Sequence, residues 1–450
     1  MRPARVLPAL LVTFVACSSE KSSAPPPPTP VATVTLTGLP DSANVGETFT
    51  LGATLRDASG NTLTGRTVSW SSSDTLSGAV STSGVLTVTG HGAFTVTATS
   101  EGKSATANGR GILTRAANRF AYAVVTGGTT SATTTQVANA TGGTVRAALG
   151  SNAVIVTLER LARVDTSWRE TVMVTRTGSL ATHCHLNGWG PAANRRDLEV
   201  SVSCFATDGT WMPGVFSILV FGNGTLEGRH GFVESTDATA THTPAAAKWF
   251  NTSGQAMSVT RLAAGSYRVA VNNARPTGKV ENYFVTTIGA YGTSCILNGW
   301  SFGNTSDIVC NRADLTQGDA RFTKQLIEGG RAGRRWALGW NDTPTRVLDS
   351  EGSMSSNYAM SSNGQPVHVV RTTSGTVSSG IYDVRFPGMG ALAALPHNIQ
   401  VSPYLSGRAN CSPSTAGTAN GGADLQVRVS CFDRYSGAPT NTYFTILLIE

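Results

Sequence analysis

His183 and His185 stand on either side of Cys184. Residues i and i+2 share one face of a strand, so this spacing could bring two imidazoles to one metal ion. Two ligands do not complete a zinc site, and a cysteine held in a disulfide cannot supply a third. The matching positions in a second copy of the motif are Ser294 and Ile296. The expectation is therefore no metal and no cofactor, with both histidines on a solvent face. The signatures of acyl and phosphoryl transfer are also missing, since the chain has no Gly-x-Ser-x-Gly elbow, His-Glu-x-x-His helix or Walker loop. Asp197, Asp307 and Asp424 recur around one strand motif. Their placement suits turns held by side-chain to backbone hydrogen bonds better than paired acid–base work. No catalytic residue emerges, and the chain reads as non-enzymatic. The aromatic residues Trp211, Trp249, Trp336 and Trp340 are the better ligand candidates, as rings that could meet a sugar or a protein, against the alternative of core packing. Arg146, Arg261 and Arg371 follow apolar strand residues and read as snorkelling or structurally paired.

The elements that position these residues are written in repeats. Asp197 to Phe205 reads DLEVSVSCF and Asp424 to Phe432 reads DLQVRVSCF, with a shorter relative from Asp307 to Cys310 between them. The apolar residues alternate, so Leu198, Val200, Val202 and Cys204 share a strand face that points into a core, as do Leu425, Val427, Val429 and Cys431. Sequential pairing within each repeat requires no interdomain geometry and predicts the disulfides Cys184–Cys204, Cys295–Cys310 and Cys411–Cys431. Cys-x-Leu-Asn-Gly-Trp occurs at Cys184 and at Cys295, and Asn-Gly predicts a hairpin turn that sets a tryptophan beside the disulfide. The third repeat has Cys411-Ser412-Pro413, which predicts a different turn. A phenylalanine strand follows each second cysteine at 12, 12 and 13 residues, at Phe216, Phe322 and Phe444. That regularity sets repeats at 118–227, 228–333 and 334–450. Short strands, Gly-rich turns and the absence of a helical period predict a β-sandwich or a small barrel in each.

The net charge of +7 is scattered, without the clustered basic patch that nucleic acid would require. At the N-terminus, Arg2 and Arg5 precede an apolar run, Val6 to Ala16, too short to span a bilayer but suited to a secretion signal. Phe14-Val15-Ala16-Cys17 resembles a bacterial lipobox, which implies cleavage before Cys17 and its lipidation, with Ser18 favouring the outer membrane. Phe14 departs from the usual leucine. Six cysteines then remain for a compartment where disulfides persist. Residues 18–30 are rich in Ser and Pro and predict an extended tether.

From Val31 the pattern becomes alternating strands. Val45-Gly46-Glu47-Thr48, Asp57 with Gly60, Val68-Ser69-Trp70-Ser71-Ser72-Ser73-Asp74, Gly84-Val85-Leu86 and Gly92-Ala93-Phe94-Thr95-Val96-Thr97-Ala98-Thr99 resemble the bacterial immunoglobulin-like group 2 domain over residues 31–110. That resemblance implies a β-sandwich of the kind used as a spacer in surface proteins and adhesins, with no catalytic residues. Residues 108–118 read as a linker. The repeats resemble cysteine-pair repeats of secreted bacterial proteins, which implies no activity. The expected fold is thus all-β and multidomain: one Ig-like sandwich, then three disulfide-containing repeats. The expected role is a non-enzymatic lipoprotein of the bacterial cell surface. Its membrane contact is the lipid, its ligand is a glycan or a protein, and nucleic acid is not among its partners. The alternatives are a carbohydrate-active protein, as glycan-binding module or glycoside hydrolase, and a purely structural envelope protein.

Overall fold

A computed structural model describes residues 28–450 except 91, 113–118, 163–168, 179–181, 273–280, 290–291, 302–304, 313, 374, 377–378 and 406, and only the backbone at 415. The segment read as a secretion signal, Cys17 and most of the segment read as a tether lie outside the described residues. The described chain is all-β and multidomain, and its strands are joined by a few single turns of 3-10 helix.

The N-terminal unit is a small sandwich. Strand Gly92–Ser100 pairs on one side with Ser69–Ser72 and on the other with Lys103–Ile112. Its alternation buries Phe94, Val96 and Ala98. They meet Leu51 and Leu86 across the sandwich, with Trp70 packed against the same core. A Cβ at Gly78 or Gly109 would come within 2.8 Å of the Phe94 ring, so the glycines let the backbones close over it. The last strand runs to Ile112. Residues 108–112, read from sequence as linker, therefore belong to the sheet.

Each repeat is a sandwich of two sheets, which decides between the sandwich and the barrel. In the first repeat, the strand Glu170–Arg176 pairs with Val215–Gly222, which pairs with Ala121–Gly127. The facing sheet is built on the hairpin Thr182–Pro191 with Leu198–Ala206. One core unites both sheets, joining Phe216 and Ile218 to Val154, Val200, Val202 and Cys204. We call Glu170–Arg176 the junction strand, Val215–Gly222 the closing strand, Ala121–Gly127 the opening strand and the cysteine-bearing pair the cysteine hairpin. The second repeat has junction strand Asn282–Ile288, closing strand Arg321–Ile327, opening strand His230–Glu234 and hairpin Thr293–Ser301 with Thr305–Arg312. The third has Asn398–Tyr404, Tyr443–Ile449, Trp336–Asn341 and Ala409–Ala419 with Asp424–Asp433.

The repeats are not beads on a string. The hairpin of the first repeat continues into the junction strand of the second through the parallel bridge Leu186–Ile288, and the second continues into the third through Leu297–Tyr404. Two eight-stranded sheets therefore cross the repeat boundaries. The third repeat returns to the first. Gly289 donates its N–H to the Leu186 carbonyl at 2.9 Å and Leu405 to Leu297 at 3.0 Å, and Gly178 of the first repeat donates to Pro413 of the third at 2.8 Å. Leu186, Leu297 and Pro413 each lie two residues after the first cysteine of their repeat. The three bonds are one contact made three times, and they close the repeats into a pseudo-threefold ring.

Candidate binding site at the axis and the junctions

Junction and closing strands are buried on both faces. One face carries the apolar residues of the repeat's own sandwich, and the other meets the two neighbouring repeats along the axis. Serine and threonine hold that second face. The Val174 N–H donates to Thr286 Oγ1 at 3.3 Å, Val285 to Ser402 Oγ at 3.3 Å and Val401 to Thr175 Oγ1 at 3.1 Å. A second cycle runs the other way through the closing strands. Ser217 Oγ donates to the Ile399 carbonyl at 2.8 Å, Thr323 Oγ1 to Val172 at 3.2 Å and Thr445 Oγ1 to Tyr283 at 3.0 Å. Every one of these hydroxyls is buried. A buried polar group left unpaired costs about 1–3 kcal/mol, so the two cycles fix how the repeats dock as well as helping to hold them. Apolar residues from all three repeats, including Phe120, Phe221, Phe284, Trp336, Leu447 and Ile449, fill one cluster around the same strands.

The disulfides join Cys184 to Cys204, Cys295 to Cys310 and Cys411 to Cys431, each between directly paired strands. Cys184, Cys295 and Cys411 converge on the axis, where they line one small cavity with His183, His185 and Arg176. Its volume, about 50 Å³, is room for a few waters at most and does not admit a substrate. The two histidines are buried, at 8% and 2% exposure, and not on a solvent face as their spacing suggested. The reason is ring closure, which covers the hairpin with the neighbouring repeats. Their rings lie 5.0 Å apart and both pack on Phe205. Burial, with the charges of His185 and Arg434 adding to it, pushes the His183 imidazole down to about 2. Burial also lowers the Arg176 guanidinium to about 10. With Cys184 bonded to Cys204, no group of three or more His, Cys, Asp or Glu able to hold a metal occurs among the described residues.

Asn187-Gly188 does not close a hairpin. It sits inside the strand Thr182–Pro191 at a β-bulge, where the pairing shifts between Leu186 and Gly188. The second repeat has the same bulge between Leu297 and Gly299, and the third has it between Pro413 and Thr415 despite its different sequence. A bulge needs one extra residue in the strand more than it needs Asn-Gly. Asp307 is also corrected. It lies within a strand and forms a bidentate pair with Arg268 at 2.7 and 2.9 Å, whereas Asp197 and Asp424 are buried and accept backbone N–H groups from Arg160 and Gly388.

Of the four tryptophans singled out, Trp336 is buried at 5% exposure and belongs to the axial cluster. Trp340 packs at the junction of the second and third repeats, 5.1 Å from Trp300, 4.6 Å from Tyr358 and 5.5 Å from Tyr404. Trp249 is half-buried with the Arg169 guanidinium 5.1 Å from its ring, and Trp211 bridges to Phe205. Arg146 pairs with Glu159 at 2.8 Å, Arg261 pairs with Asp319 through two bonds, and Arg371 neighbours Tyr382. Sequence reasoning did not single out Trp300 and Trp189 as ligand candidates, nor the hydroxyls of the axis. The repeated Phe-Ser and Phe-Thr pairs at 216, 322 and 444 were the available signal for the latter.

No protein-family model matches the sequence, and no curated protein is detectably similar. Among solved structures, the chain is similar to a surface layer protein, SbsC, domains 1–6, at 12% identity and a TM-score of 0.15, over 92% of this chain. It spans about half, 51%, of that protein's length.

Proposed function

We propose that this chain is a non-enzymatic lipoprotein of the bacterial cell surface, in which the sandwich over 31–110 is an Ig-like spacer and the three repeats form one rigid head for adhesion or ligand binding. The observation that carries this reading is the closed ring: each repeat is docked on both neighbours and stapled by its own disulfide. Disulfides persist in oxidising, extracytoplasmic compartments. A preorganised head spends little conformational entropy on binding. The 50 Å³ axial cavity has no room for a substrate, and burial makes the His183 imidazole too weak a base to carry a reaction there. Labelling cells with a palmitate analogue tests the anchor. Label on the wild-type chain and loss of both label and membrane association on Cys17→Ala are expected, and a Cys17→Ala chain that stays on the membrane refutes it.

A second reading takes a glycan as the ligand. It is favoured by the half-buried rings of Trp300, Trp340, Tyr358, Tyr404 and Tyr443 at one junction, where Trp340 Nε1 has no hydrogen-bond partner among the described residues. A glycan array probed with the full chain separates the readings: saturable binding lost on Trp340→Ala supports the glycan, and a blank array leaves a protein ligand.

A further inference from the structure

The three junctions share a backbone and differ in what fills them. Two residues past the bulge, Trp189 pairs with Val200, Trp300 with Ser306 and Ala416 with Val427. Val200, Ser306 and Val427 each lie four residues before the second cysteine, so Ala416 occupies the seat of the two tryptophans.

Each tryptophan leans on the repeat that follows. The Trp300 ring meets Tyr404 at 4.7 Å, Trp340 at 5.1 Å and Tyr358 at 5.8 Å, and the Lys248 ammonium lies 5.6 Å from the Trp189 ring. By strand register, the positions of Trp340 and Tyr404 correspond in the first repeat to Val124 and Thr177. With small residues at both and alanine at the seat, the junction of the third and first repeats holds a cavity of about 360 Å³. Its walls include Val124, Val215, Ile399 and Ala416, and Ala416 is exposed to solvent. That size and lining fall within the range of small-molecule sites, apolar walls with a few placed polar groups.

Two features show that the space is built. The third repeat carries a short 3-10 helix, Gly390–Ala394, and His397 beside it, both of which line the cavity, and the His397 N–H donates to Gln136 Oε1 across the junction at 3.2 Å. The Gly178 N–H donates to the Pro413 carbonyl at 2.8 Å, and both residues line the cavity, so its floor is a fixed backbone contact between the two repeats.

We propose that this junction binds a small planar aromatic molecule of about indole size, its ring taking the tryptophan seat. The inference does not rest on the surface role proposed above.

Indole titrated into the full chain by calorimetry is the test. Saturable one-to-one binding with a dissociation constant below about 1 mM is expected. Ala416→Trp fills the seat from within, so it raises the unfolding temperature and weakens indole binding at least about tenfold. Ala416→Leu fills the seat only in part, so it weakens indole binding by less than Ala416→Trp does. Absence of saturable binding by wild type, or indole affinity unchanged in both variants, overturns the proposal. Should Ala416→Trp not fold, Ala416→Leu at this exposed position decides alone.

Discussion

Lys324 is a buried amine at a position where the other repeats place isoleucine. It lies two residues after Phe322, as Ile218 follows Phe216 and Ile446 follows Phe444. Its side chain is fully buried, Nζ lies 3.9 Å from the centre of the Tyr283 ring, and Nζ has no hydrogen-bond partner among the described residues. Burial pushes the ammonium well below its ordinary value, against a smaller opposing pull from Glu281. A buried polar group without a partner costs about 1–3 kcal/mol, and at pH 7 the cost of the proton that the folded chain does not hold adds to it, so Lys324→Met, which keeps the unbranched stem, is expected to stabilise the ring by at least that amount at pH 7. The pH dependence is the sharper test. Between the depressed folded value and the unfolded value of about 10.4, the unfolded chain binds a proton that the folded chain does not. The unfolded state then holds more protons, so wild-type stability rises with pH across that window, by up to about 1.4 kcal/mol per unit from this group. Above the unfolded value the slope disappears. The gain from methionine should therefore shrink as pH rises from 7 toward 10. Urea unfolding of wild type and variant at pH 7, 8 and 9 measures it, because all other titrations cancel in the difference. A difference independent of pH, or a variant less stable than wild type, refutes the reasoning.

Other perturbations address the ring. Thr175→Val leaves the Val401 N–H and Gln400 Oε1 without their partner. It should cost about 1–3 kcal/mol and speed hydrogen exchange at the Val401 amide, whereas unchanged exchange would mean that the hydroxyl cycle does not hold the junction. Replacing Cys295 and Cys310 together by serine opens a loop with a sequence separation of 15. A loss of about 3 kcal/mol in chemical denaturation is expected on the chain-entropy account. His183 is held neutral by burial, with a folded value of about 2, below the ordinary imidazole value of 6.5. Below about pH 6.5 the unfolded chain takes up the proton first, so stability falls as pH drops toward 4, and His183→Gln should flatten that fall in acid unfolding.

The sandwiches were legible because period-two alternation survives in DLEVSVSCF and DLQVRVSCF, and each cysteine sits on the apolar face of its strand. The ring was not. Its bonds join residues as far apart as Thr175 and Val401, and alternation cannot tell a polar face against solvent from a polar face against a neighbouring repeat. Hence the histidines flanking Cys184 read as exposed. Asn187-Gly188 read as a turn because the pair is the commonest hairpin closer, yet neither residue takes a positive φ here, and only the register of Trp189 with Val200 shows the bulge. Asp307 was matched to Asp197 by residue type, although its register places it opposite Arg268 and level with Ser201 and Arg428.

That register exposes what the repeats are free to vary. Arg268 faces Asp307 in the second repeat, Asp383 faces Arg428 in the third with the charges exchanged, and Ile155 faces Ser201 in the first. Partly exposed ion pairs contribute about 0–1 kcal/mol, so such a site drifts at little cost. The axial hydroxyls, worth about 1–3 kcal/mol each if lost, are Ser or Thr in all three repeats. The tryptophan seat breaks this rule. Truncating a fully buried tryptophan to alanine costs about 3–5 kcal/mol, and even part of that at the half-buried Trp189 and Trp300 exceeds a partly exposed ion pair, yet the third repeat has alanine at this seat. Drift at a nearly neutral site does not account for so costly an absence. An opening kept for an occupant does.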